Sequence, residues 1–168
     1  MLRIIGIDPG SRQTGYGLID SDGMHSVYLT HGVLKLSGQP LPPRLGEIFS
    51  AVTHLIQEYQ PQVMAIEEVF VAKNPASALK LGQARGAAIC AAVDRGLSVV
   101  EYTPTRIKQA VVGTGRADKE QIQHMVKMIL GLRERPQADA ADALAVALSH
   151  AHTHTTLARQ ASQGKRGI

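Results

Sequence analysis

The stretch that most constrains this chain is its opening, LRIIGIDPGSRQTGYGLID, in which Ile4, Ile5, Gly6 and Ile7 run without a polar residue before Asp8 and a Pro-Gly turn. A strand lying on a surface alternates apolar and polar residues, whereas one that is apolar at consecutive positions has both faces covered. The opening segment therefore belongs in the middle of a sheet. After the turn PGSRQ, TGYGLID reads as a returning strand, and beyond SDG the stretch HSVYLTHGVLKL reads as a third, giving an antiparallel meander. Asp8 poses a chemical question. A charge at the end of a buried strand costs roughly several kcal/mol unless something positive meets it. Taken alone, the residue has a simpler account, since Asp commonly bonds the backbone of a turn it starts.

Past the loop SGQPLPP, Leu45, Ile48, Phe49, Val52, Leu55 and Ile56 recur at helical spacing, which predicts an amphipathic helix from Arg44 to Tyr59. A strand QVMAIEEVF follows, then an Ala-rich helix from about Ala76 to Arg95, and a strand LSVVEY. The order βββαβαβ predicts an α/β fold: a mixed five-stranded sheet flanked by helices. Beyond Tyr102 the pattern is helical: PTRIKQAVV, a loop GTGRA, a helix from Lys119 to Leu130 and a last one from Ala138 to His150. Asp118 is a natural N-cap, with Gln121 three residues on. The tail after residue 152 lacks apolar periodicity, so residues 153–168 are expected to be a disordered basic extension of a single domain spanning 1–152. His150, His152 and His154 in HAHTH fall at the edge of that tail and are not assigned to a metal.

With 168 residues and 44% hydrophobic content the chain has room for one sizeable core. A single cysteine, Cys90, excludes a disulfide framework and a thiolate metal cluster, and points to a reducing compartment such as the cytoplasm. No apolar stretch approaches the roughly 20 residues that span a bilayer, so no membrane association is expected. Charge is unevenly spread. Residues 1–68 hold 4 Lys/Arg against 7 Asp/Glu, while residues 69–135 hold 11 against 5. A basic half of this kind favours an acidic partner, most simply nucleic acid.

The remaining acids in apolar surroundings follow a pattern. Glu67 and Glu68 end the strand VMAI much as Asp8 ends the first, and alternation sends the two to opposite faces, so only one can join Asp8. Asp139 and Asp142, three apart in ADAADALAVAL, share one helical face and can reach a common ion. Favourable placement near a helix N-terminus accounts equally well for that pair taken alone.

Together, GIDPGSRQTGYG, AIEEVF, SALKLGQARG, IKQAVVG and PQADAADALAVA, in this order and spacing, resemble the RuvC-type Holliday junction resolvases. The resemblance covers nearly all of residues 1–152. It implies an RNase H-like fold and a homodimer that nicks four-way DNA junctions in recombination and repair, working with the RuvA–RuvB branch-migration complex. Motif by motif it places four metal ligands on Asp8, Glu67, Asp139 and Asp142, with two Mg²⁺ ions per subunit for which Mn²⁺ substitutes. It puts Lys108 and Lys119 beside the scissile phosphate and Phe70 against unpaired bases. Lys73, Lys80, Arg85, Arg106 and Arg116 are further candidate DNA contacts. Gly82 and Gly86, each costing about 1 kcal/mol relative to Ala in a helix, imply a close approach, either against the domain's own sheet or across a two-fold axis, of which the resemblance favours the dimer. Cys90, in the same helix, reads as a small buried hydrophobe.

Two other functions fit parts of the pattern. The G-x-D-x-G loop followed by T-G-Y-G also resembles the phosphate loop of actin- and sugar-kinase-type ATPases, but those need a second lobe, and GTGRADK lacks the Gly-Lys-Ser/Thr ending of a P-loop. A non-catalytic junction binder would use the same basic surface. Four acids on a DNA-facing surface would be a liability to it.

Overall fold

The structure, a computed structural model, describes residues 1–69 and 74–164, with side chains through residue 155. Strands β1 (Leu2–Asp8), β2 (Gln13–Ser21) and β3 (Ser26–Lys35) form the antiparallel meander, followed by α1 (Leu41–Tyr59), β4 (Val63–Glu67), α2 (Pro75–Asp94) and β5 (Ser98–Tyr102). Three helices complete the order: α3 (Pro104–Val112), α4 (Lys119–Leu130) and α5 (Ala138–Gly164). The sheet order is β3-β2-β1-β4-β5, so β1 is the middle strand, antiparallel to β2 and parallel to β4. Its uniformly apolar sequence follows from that place. Ile5 and Ile7 face a core completed by α1 and α2, whereas Ile4 faces one completed by α3, α4 and α5.

Two glycines set how closely α5 lies on the sheet. A Cβ on Gly6 would overlap the carbonyl oxygen of Ala143, and one on Gly15 would overlap that of Asp139. Gly15 pairs with Asp8 in the β1–β2 ladder. The missing side chains therefore let the helix carrying Asp139 and Asp142 rest on the sheet beside Asp8, an approach any larger residue would block.

Two boundaries differ from the sequence reading. Helix α1 starts at Leu41 rather than Arg44, because Pro42 and Pro43 fall in the first turn, where a backbone N–H has no helical partner to lose. Helix α5 runs on to Gly164, through most of the segment expected to be disordered. Its polar turns are held locally: Thr153 Oγ1 donates to the Ser149 carbonyl at 2.9 Å and Thr155 Oγ1 to that of Ala151 at 3.0 Å. Ala151, His154 and Thr155 also line a cleft against Leu2, Ser21 and Gly23. These contacts use small and polar side chains, which leave no apolar period to read. The histidines there serve packing. His150 Nδ1 lies 2.7 Å from the Tyr102 hydroxyl, and His152 Nδ1 lies 3.1 Å from the Ala110 carbonyl oxygen. Cys90, expected to be buried, is exposed on α2, whose buried face consists of Ala84, Ala88, Ala91 and Ala92.

Candidate active site

At the C-terminal ends of β1 and β4 lies a cleft of about 630 Å³, lined by Asp8, Glu67, Asp139, Asp142, Lys108 and Lys119 among others. Register explains the convergence. Asp8 follows Gly6 and Glu67 follows Ala65 by two residues, and Gly6 pairs with Ala65, so both acids leave the sheet on the α5 side. Asp139 and Asp142 reach the same point from the first turn of α5. Carboxylate oxygens of Asp8, Asp139 and Asp142 all lie within 4.8 Å of one another, and Glu67 closes the cleft from the neighbouring strand. Glu68 lies apart, half-buried in the next groove along with Val69 and Arg85.

The acids work against each other. Burial, and then the charges of Asp142, Asp139 and Glu67, push the Asp8 carboxyl up to about 8, with Lys119 opposing. Burial and then Asp142 raise Glu67, against Lys108 and Lys119; burial raises Asp142, against Lys119. A carboxyl raised in this way keeps its proton in the folded protein across a range where the unfolded chain has lost it. Stability without divalent cations therefore falls as pH rises from about 4 through about 8, and is flat above. Asp8→Asn is expected to remove most of that slope. In EDTA at pH 8.5 it should raise Tm by about 5–10 °C over the parent chain, corresponding to a few kcal/mol, and at pH 4 it should change Tm little. Equal melting of the two proteins at pH 8.5 would show that the cluster stores no such repulsion.

Both lysines are placed by helix starts. The Thr103 hydroxyl caps α3, accepting from the Arg106 amide at 3.3 Å, and sets Lys108 half-buried at the cleft. A capping box of Asp118 and Gln121, with both bonds at 2.8 Å, starts α4 at Lys119. A cation in the first turn of a helix opposes the macrodipole. Here the acids across the cleft compensate, since Lys119 Nζ lies 3.9 Å from Asp142 Oδ2. This ion pair is weak, because the Lys119 side chain is 76% exposed.

The other expected contacts separate. Arg116 is exposed on the loop before α4, and Arg106 is exposed on α3 with its guanidinium 5.6 Å from the Tyr102 ring centroid, so both share the lysines' side of the sheet. Lys80 is exposed on α2, across the sheet. Arg85 does not fit a phosphate contact: its Nε donates to the Glu67 carbonyl at 3.0 Å and its Nη2 pairs with Glu101 at 2.9 Å. Phe70 and Lys73 lie outside the described residues. One site residue escaped the sequence reading. The Gln13 side-chain amide donates to Asp139 Oδ2. Its signal was available, because Gln13 lies two residues before Gly15 and so shares the face of β2 that meets α5.

A mixed sheet of this order, with carboxylates at the ends of two central strands and on the helix crossing them, defines an RNase H-like nuclease fold. A family model described as crossover junction endodeoxyribonuclease RuvC matches residues 4–150. The chain is 56% identical over 168 residues to a protein of that name from Pseudoalteromonas atlantica, covering 100% of this chain and 97% of the relative. To one from Vibrio vulnificus it is 59% identical over 167 residues, covering 98% and 96%. Thermus thermophilus RuvC, solved in complex with Holliday junction substrate, superposes with a TM-score of 0.87 at 36% identity, covering 93% of this chain and 96% of that one. The chain belongs to the RuvC family of crossover junction endodeoxyribonucleases.

Proposed function

We propose that this chain resolves four-way DNA junctions by paired, symmetric nicks, hydrolysing phosphodiesters at the Asp8 cluster with two Mg²⁺ ions per subunit. The observation carrying this reading is the meeting of Asp8, Asp139 and Asp142 within 4.8 Å in a cleft that also holds Glu67, Lys108 and Lys119. The donor set fits Mg²⁺, being all hard carboxylate oxygen with no nitrogen or sulfur. Divalent ions there would supply an activated water and stabilisation of the departing 3′ oxygen. The chain's residues divide the remaining work. Asp8, Asp139 and Asp142 would hold such ions, with Glu67 contributing from the neighbouring strand. Lys108 and Lys119 meet the phosphate from the α3–α4 side and offset charge developing on it. Arg106 and Arg116 hold the flanking backbone without reading sequence.

The substrate is two-fold symmetric, which favours a symmetric dimer with one site per subunit. Helix α2 offers a surface for it: Leu79 and Val93 are 69% and 61% exposed, and a Cβ added at Gly82 or Gly86 would meet nothing within 4 Å. Family membership is the ground for expecting the RuvA–RuvB complex as a further partner. Among the described residues no helix is long and apolar enough to cross a membrane.

The test is a labelled four-way junction and a matched linear duplex incubated with Mg²⁺, with ATP turnover assayed in parallel. Nicking of the junction alone is expected; ATP hydrolysis without nicking, or binding without nicking, would overturn the reading. Ca²⁺, larger and less exacting in geometry, should support binding without efficient cutting, and affinity should fall steeply with salt. Lys108→Ala and Lys119→Ala should each lower kcat by about 10²-fold with smaller changes in Kd, as loss of a group acting on developing charge requires.

A further inference from the structure

Arg85 is 16% exposed, and its fork is occupied by the protein's own groups. Nε donates to the Glu67 carbonyl at 3.0 Å, and Nη2 lies 2.9 Å from Glu101 Oε1. Glu67 is the last residue of β4 and pairs with Tyr102, the last of β5; Glu101 immediately precedes Tyr102. One guanidinium on α2 therefore ties the ends of two parallel strands together. Among the described residues, only the bond from the Glu68 amide to the Tyr102 carbonyl, at 2.8 Å, continues that pairing beyond Glu67. A strand end so lightly held is fixed more firmly by a further anchor, and Glu67 lines the cleft that holds the other three acids.

We infer that Arg85, braced by Glu101, is a positioning residue for Glu67, acting through the Glu67 main chain, and is not a contact to DNA phosphate. The inference rests on the reading of the Asp8 cluster as a divalent-cation site. Two acceptors at a fixed angle suit a planar guanidinium, which presents several N–H groups in one rigid fork. An ammonium at the same place carries the charge but lacks the second fixed direction. Partners standing behind metal ligands typically set metal affinity by about 10–100-fold, and that is the scale expected here.

The experiment compares the full chain with Arg85→Lys, Arg85→Gln, Glu101→Gln and the control Asp8→Asn. It measures Mn²⁺ binding by titration calorimetry in the absence of DNA, and junction Kd with its salt dependence in EDTA. Arg85→Lys, Arg85→Gln and Glu101→Gln should each weaken Mn²⁺ binding by about 10-fold or more, and raise the Mg²⁺ concentration for half-maximal nicking in step. Junction Kd and its salt slope should stay within about twofold of the parent chain, as they would not for a lost phosphate contact. Glu101→Gln keeps Arg85 in place and changes a half-exposed residue, so it carries the test if Arg85→Gln fails to fold. Unchanged Mn²⁺ affinity in Arg85→Lys and Glu101→Gln would overturn the proposal. So would a tenfold weaker junction Kd with a shallower salt slope, which would restore Arg85 to the DNA surface. If the parent chain and Asp8→Asn bind Mn²⁺ alike, the cation-site reading itself fails, an outcome distinct from failure at Arg85.

Discussion

Asp8→Asn, Glu67→Gln, Asp139→Asn and Asp142→Asn should each reduce junction nicking by about a thousandfold or more, while leaving junction Kd in Ca²⁺ or EDTA within a few fold. Cations acting on both the attacking and departing oxygens supply several kcal/mol of transition-state stabilisation, and every 1.4 kcal/mol or so lost is a factor of ten. On the proposed reading, removing any one of these carboxylates would remove a group that holds a cation. On the proposed reading binding draws on different residues, the cations of α3, α4 and the loop between them, of which Arg106, Arg116 and Lys119 are exposed. In EDTA it should tighten for Asp8→Asn, because a charge facing the phosphates is gone. Glu68→Gln provides the internal contrast. Glu68 does not line the cleft shared by the other four acids and the two lysines, and meets Asp8 and Glu67 only along a neighbouring groove, so its loss should cost far less. Single-turnover rates with saturating enzyme separate the two effects, since they report chemistry once binding is complete. Full nicking by any one of the four variants would remove that residue from the site.

The elements that were readable from sequence are those whose signal is local. The apolar run of β1 implied a middle strand, the spacing in α1 marked its buried face, and Asp118 with Gln121 marked the start of α4. The acids were legible singly, and of Glu67 and Glu68 only Glu67 lines the cleft with Asp139 and Asp142, although both border a smaller groove beside Asp8. What remained hidden depends on contacts between distant segments. Nothing in the local pattern distinguishes Arg85, turned inward onto Glu67 and Glu101, from Lys80, turned outward on the same helix. The end of α5 escaped because its packing uses Ala151, Thr155 and a hydrogen-bonded His150 in place of large apolar residues. The turn of prolines before α1 reads as a loop, although proline suits the first turn of a helix as well as it suits a loop.

Gly86→Leu should convert the protein from dimer to monomer and, on a supercoiled cruciform plasmid, change the product from linear DNA to open circles. Among the described residues a Cβ added at Gly82 or Gly86 would meet nothing within 4 Å, and the buried contacts of α2 are made by Ala84, Ala88, Ala91 and Ala92. A leucine there should even favour the isolated helix, by about 1 kcal/mol relative to glycine. Retaining two glycines at a cost in helix stability, beside Leu79 at 69% and Val93 at 61% exposure, points to a close approach from outside the subunit. In the proposed dimer a second α2 across a two-fold axis would provide one, and would carry a second Asp8 cluster with it. When the dimer is intact, both strands of a cruciform are cut before the junction is released, and the plasmid becomes linear. A monomer makes one cut; the freed superhelical tension then reabsorbs the cruciform, and the open circle is no longer a substrate. Sedimentation equilibrium gives the mass independently of activity, and the helical circular dichroism signal shows that the subunit remains folded. If Gly86→Leu still sediments as a dimer and still yields linear product, the subunits meet through a different surface, and the exposed stripe of α2 serves another contact.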